Sequence, residues 1–131
     1  MTLFEQLDFI YMPSRDVAAD VRYFTEILGA EVTFAVEGMG TRVAMIELTD
    51  EPPRVLGAGH LEGERPVMVY RVADIEQAMD QLEERGWEPG QMLQIPHGPV
   101  CTFTTPGGHR LAIHQLTRPE VGSHFAGRRD F

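Results

Sequence analysis

Two stretches of the chain carry the same run of apolar and polar positions. Residues 7–29 (LDFIYMPSRDVAADVRYFTEILG) begin with an apolar, β-prone segment, pass through Asp16, continue with apolar residues at helical spacing and end on Gly29. Residues 67–86 (VMVYRVADIEQAMDQLEERG) do the same through Asp74 to Gly86. A short apolar run bounded by turn residues predicts a buried strand. Asp16 and Asp74 are N-caps, because a short carboxylate can accept from the free amides of a first turn. Val21, Phe24, Ile27 and Leu28, and in the second copy Ile75, Met79 and Leu82, form helical stripes that face a core. Gly29 and Gly86 supply left-handed C-caps.

The same alternation continues after each helix. Residues 31–36, 41–48 and, more weakly, 54–59 read as strands, separated by the turns Gly38–Gly40 and DEPP (50–53). After the linker 60–65 and the second helix, residues 91–95, 100–105 and 109–116 read as strands, with PHGP (96–99) and PGG (106–108) as turns. Each half is therefore βαβββ: module one over 5–62, module two over 63–117, followed by a tail, 118–131, that forms a short helix or a strap across the other module. An internal repeat decides architecture before any single residue decides chemistry. One βαβββ unit of about 55 residues leaves a sheet face bare and buries too little to stand alone. Pairing two predicts an α+β domain in which the strands form a curved half-barrel with the helices outside. The concave face is then a ligand cavity.

Composition narrows the class. Of the 131 residues, 43% are hydrophobic and 24% charged, as in a globular protein that builds its core without staples. One cysteine, Cys101, allows no internal disulfide and points to a reducing, cytoplasmic setting. No apolar run is long enough for a membrane helix, and the N-terminus lacks a signal peptide's pattern. Eleven basic against 20 acidic residues give a net charge of −9, the wrong sign for nucleic acid. PGG lacks the Lys-Ser/Thr ending and strand-to-helix context of a phosphate loop.

RDVAADVRYFTEILGAEVTF (15–34), VADIEQAMDQLEERGW (72–87) and FTTPGGHRLAIHQL (103–116) resemble the vicinal oxygen chelate superfamily: glyoxalase I, extradiol dioxygenases, and bleomycin- and fosfomycin-resistance proteins. Two details depart from the family pattern: Tyr23-Phe24 stands in reversed order, and Thr105 replaces an Asp. The resemblance implies a divalent metal held by His or Glu from four inner strands. The matching positions here are Phe9, Val67, Ala112 and, aligning Arg54 over Arg110, Leu56; matching the IELT phrase instead would put the fourth at Glu47. Phe, Val, Ala and Leu donate no lone pair, so the reading is no metal and no cofactor. The resemblance also implies a homodimer.

Strand alternation puts residues two apart on one face. If Phe9, Val67 and Ala112 face the cavity, so do Tyr11, Val69 and His114, with Arg54 and Arg110 at one end. The expected cavity is thus Phe9, Tyr11, Arg54, Leu56, Val67, Val69, Arg110, Ala112 and His114. Tyr11 and His114 are the candidate acid–base groups, and the arginines could pair an anionic handle. Each also has a purely structural reading: a strand-core tyrosine, a hydrogen-bonded strand histidine, strand-end ion pairs. His97 and Cys101 invite a Cys–His reading, but Cys101 on a strand reads as core. His60, His97, His109, His114 and His124 show no ligand spacing. The expected function is a metal-free small-molecule binder. The alternatives are a glyoxalase-like lyase, isomerase or dioxygenase, using a relocated metal or a Tyr11/His114 pair, and an interaction module whose cavity is filled by its own side chains.

Overall fold

The computed structural model describes residues 2–95 and 97–131; Met1, and Pro96 of the expected PHGP turn, lie outside the described residues. The fold is α+β. In chain order the elements are β1 (Gln6–Pro13), α1 (Val17–Arg22), β2 (Glu31–Gly38), β3 (Thr41–Glu47), β4 (Arg54–Ala58), β5 (Val67–Arg71), α2 (Ile75–Glu84), β6 (Met92–Ile95), β7 (Gly98–Thr104), β8 (Arg110–His114) and α3 (Glu120–Phe125). Two compact units result. One joins Phe9–Pro66 with His124–Phe131; the other joins the residues through Asp8 with Val67–Ser123.

In the first unit the strands run β2-β3-β4-β1, in the second β5-β8-β7-β6. The registers repeat. β1 pairs β4 in parallel, with Phe9 opposite Arg54 and Tyr11 opposite Leu56. β5 pairs β8 in parallel, with Val67 opposite Arg110 and Val69 opposite Ala112. Even the closing bond recurs: Ser14 N–H donates to Ala58 O at 3.0 Å, and Val72 N–H to His114 O at 2.9 Å. Overlaying Arg54 on Arg110 is therefore the overlay the backbone makes.

Both helices begin as the carboxylates dictate. Asp16 accepts from Ala19 N–H at 3.0 Å, and Asp74 from Gln77 N–H at 3.1 Å. Gly29 and Gly86 close them at φ 77° and 89°, a backbone region that glycine enters without a Cβ clash. Helix one departs from expectation in its second half. Tyr23–Ile27 form a π-helical turn, with Leu28 N–H reaching Tyr23 O at 3.2 Å. The Thr25 hydroxyl, bonded to Val21 O and Arg22 O, accompanies this widening. The wider turn keeps Phe24 against the core but rotates Ile27 (67% exposed) and Leu28 out of the expected stripe.

Each unit has its own core between helix and sheet. In the first, Val17 and Val21 pack with Ala35, Ala44, Ile46 and Val55. In the second, Ile75 and Ala78 pack with Val72, Cys101 and Ile113. Since these core residues alternate with their strand neighbours, the opposite face of each sheet is defined too. It carries the row Phe34–Met45–Leu56–Tyr11 in the first unit and the rows Val69–Ala112–Thr102 and Arg71–His114–Val100 in the second.

Candidate functional site

The helix-free face of the first unit is apolar at its centre and polar at its ends. Phe9 and Leu56 are buried, Tyr11 and Arg54 half-buried. Tyr11 OH lies 3.2 Å from His60 Nε2, and Thr41 Oγ1 lies 3.2 Å from His60 Nδ1, so the imidazole bridges two hydroxyls. Burial pushes the Tyr11 hydroxyl above its ordinary pKa, so at neutral pH it is a protonated donor. At the other end, Arg54 lies 3.5 Å from Glu47 and donates to Thr49 O and Asp50 O. That guanidinium closes a turn at the margin of the helix-free face.

In the second unit Val67, Val69 and Ala112 are buried on the matching face, with Arg110 half-buried beside Val67. One row along, the repeat breaks. Where module one has Pro13 opposite Ala58, module two has Arg71 opposite His114. Asp8 completes the group. It is 4% exposed, and His114 is fully buried. His114 Nε2 lies 2.7 Å from Asp8 Oδ2; Arg71 donates from Nε at 2.7 Å to Oδ2 and from its terminal nitrogen at 3.3 Å to Oδ1; Gln6 also donates to Oδ1.

Burial by itself would raise the Asp8 carboxyl. The hydrogen bonds from His114, Gln6 and Arg71, with the Arg71 charge, outweigh it and hold the carboxyl down at about 2. Asp8 is then ionised at neutral pH and can only accept, so His114 carries its proton on Nε2. Next to this group, burial pushes the His97 imidazole below its ordinary pKa; His114 and Arg118 act in the same direction and Asp8 against it. His97 is consequently neutral at pH 7. Sequence reasoning missed Asp8, Arg71 and the bridging role of His60. The signals were present: an acid inside an apolar strand, and the exchange of Pro13 and Ala58 for Arg71 and His114 between repeats.

The Cys–His reading does not survive. Cys101 is fully buried on the helix side, packed with Ile113 and Val72, and burial pushes its thiol up, away from the reactive thiolate. The positions that the resemblance assigns to the family metal offer it no donors. The four matching positions present Phe9, Leu56, Val67 and Ala112, and Glu47 at the fourth position's alternative is engaged by Arg54 and Thr33. Among the described residues no three His, Cys, Asp or Glu side chains gather where they could hold an ion. Divalent-metal sites need about three such ligands, so the residues do not fit the group.

The family model of the Glyoxalase/Bleomycin resistance protein/Dioxygenase superfamily matches residues 6–113. The chain belongs to this superfamily. No curated protein matches it. Among solved structures it is similar to the methylmalonyl-CoA epimerase of Mycobacterium tuberculosis, at TM-score 0.74 and 14% identity over 94% of this chain and 95% of that one. It is also similar to a Streptomyces coelicolor methylmalonyl-CoA epimerase variant in complex with 2-nitronate-propionyl-CoA (TM-score 0.69, 16% identity, 88% and 99%). A superfamily member from Vibrio splendidus 12B01 matches at TM-score 0.59 and 18% identity over 84% and 98%. At these identities the superfamily likeness carries the fold alone. Among the described residues no helix is long and apolar enough to cross a membrane.

Proposed function

We propose that this superfamily member binds a small organic molecule on the helix-free face of its first module without the family metal. The observation that supports the reading most is the repeated register. It aligns Phe9 with Val67 and Leu56 with Ala112, so the ligand-bearing positions of the fold are apolar in both copies. An apolar floor with few polar groups at its margins suits a semi-apolar ligand with one polar handle. Tyr11 and His60 offer hydrogen bonds for that handle. The reading extends to a cytoplasmic homodimer; a strict monomer in sedimentation would remove the dimer. Native mass spectrometry tests the binding directly. The expected result is an organic adduct on protein purified under gentle conditions, lost on denaturation. Protein that carries no adduct and takes none up from a cell extract contradicts the proposal.

The Asp8–His114 bond favours a second reading, an isomerase or lyase that moves a proton. A carboxylate that fixes the tautomer of an imidazole is the arrangement acid–base catalysts use. Here Tyr11 is engaged by His60 and His114 by Asp8, so the two would act with different partners. Unchanged ligand affinity and unchanged turnover in His114→Ala would end this reading.

A further inference from the structure

The last residues of the tail, His124–Phe131, pack into the first unit. Their backbone runs along the free edge of β2: Gly127 N–H donates to Thr33 O at 2.8 Å, Ala35 N–H to Arg128 O at 2.8 Å, and Asp130 N–H to Ala35 O at 2.6 Å. Ala35 and Arg129 form a parallel bridge, and the Asp130 carboxylate accepts from Glu37 N–H at 2.8 Å. These bonds close an edge that would otherwise template pairing with another chain.

Two aromatic side chains leave this strap for different neighbours. Phe131 packs against the helix-side core and lies under the Arg42 guanidinium at 4.9 Å. Phe125 lies against Phe34, ring centroids 5.7 Å apart. Phe34 heads the row Phe34–Met45–Leu56–Tyr11 on the opposite, helix-free face. Capping the edge requires the backbone bonds, and Phe131 anchors them. Neither requires an aromatic ring beside Phe34. Phe125 is moreover held from other sides, by the His124 ring at 5.1 Å and the Arg128 guanidinium at 6.0 Å. A ring fixed in this way is a wall rather than a loose surface side chain.

We infer that Phe125 is a specificity-determining residue: it closes the Phe34 end of the helix-free face and sets how far an apolar ligand reaches along Met45 and Leu56 towards Tyr11. This rests on the ligand-binding reading. The ligand class is an apolar or aromatic molecule whose polar handle meets Tyr11 and His60 and whose apolar end stops at Phe125. Truncating the ring lengthens the accepted molecule.

The test uses the full chain with methyl-13C methionine, titrated with 8-anilinonaphthalene-1-sulfonate, in wild type, Phe125→Ala and Phe125→Leu. The expected result is a shift of the Met45 methyl resonance on adding the probe to Phe125→Ala, little or none in wild type, and a return towards wild type in Phe125→Leu. Hydrogen exchange at the Ala35 amide reports whether the strap stays bound. If Phe125→Ala frees the strap, a chain ending at Ser123 is titrated as well, and a Met45 response there supports the wall equally. A Met45 resonance silent in Phe125→Ala with the strap still bound, or silent in the chain ending at Ser123 where the strap is freed, overturns the inference. The two failures are distinguishable: the binding reading fails on the absence of any organic adduct, the wall on the silence of Met45.

Discussion

At Asp8 a carboxylate sits almost out of water, kept ionised by three donors. A carboxyl held at about 2 when folded, against an ordinary 3.8, stabilises the fold fully above its unfolded value. That stability is lost as pH falls through the folded value, and its size is about 2 kcal/mol. Urea unfolding followed from pH 5 to pH 2 should therefore show a steep loss in wild type and a shallower one in Asp8→Asn. Equal slopes would remove Asp8 as the acid-sensitive group. His114→Ala leaves the carboxylate with Arg71 and Gln6 alone and opens a hole in a fully buried site, which should cost about 3 kcal/mol by denaturant unfolding. A loss below about 0.5 kcal/mol would mean the bond contributes little, as exposed pairs do. At this scale the sequence was least legible. His114 could be named from strand alternation, but its partner lies 106 positions away, and no local pattern announces a contact that only the fold creates.

At the scale of elements the reading was better, because caps and alternation are local. Asp16, Asp74, Gly29 and Gly86 stand where their chemistry put them. Asp16→Ala and Asp74→Ala should each lower stability by about 1 kcal/mol, measured by thermal or denaturant unfolding; losses near zero would mean the caps are replaced by water. The π-helical turn after α1 was not legible, since apolar spacing at Val21, Phe24, Ile27 and Leu28 fits an α-helix equally well. What distinguishes the two is the route of a few carbonyl bonds. Gly90 is an element-level constraint of another kind. Its amide donates to Thr102 O at 2.7 Å, and a Cβ there would come within 2.3 Å of that oxygen. Gly90→Ala should force the 90–91 segment off β7 at about 1–3 kcal/mol, seen as faster hydrogen exchange at Gln91 and Thr102. Unchanged exchange there would show that the contact relaxes at no cost.

For the whole molecule, duplication is what made the fold legible. Two weak patterns that agree carry more than either does, and the strand registers of the two units match residue for residue across Phe9–Arg54 and Val67–Arg110. Duplication also shows where the halves diverge, at Arg71 and His114 in one and Pro13 and Ala58 in the other. The central claim is the proposed one, that both halves carry apolar side chains at the positions the resemblance assigns to metal ligands. Metal analysis of protein purified without chelator tests it most directly. The account predicts far less than one equivalent of manganese, iron, cobalt, nickel or zinc per chain, and no change in melting temperature when those ions are added at millimolar concentration. One tightly held equivalent per chain, with a matching rise in melting temperature, would contradict it.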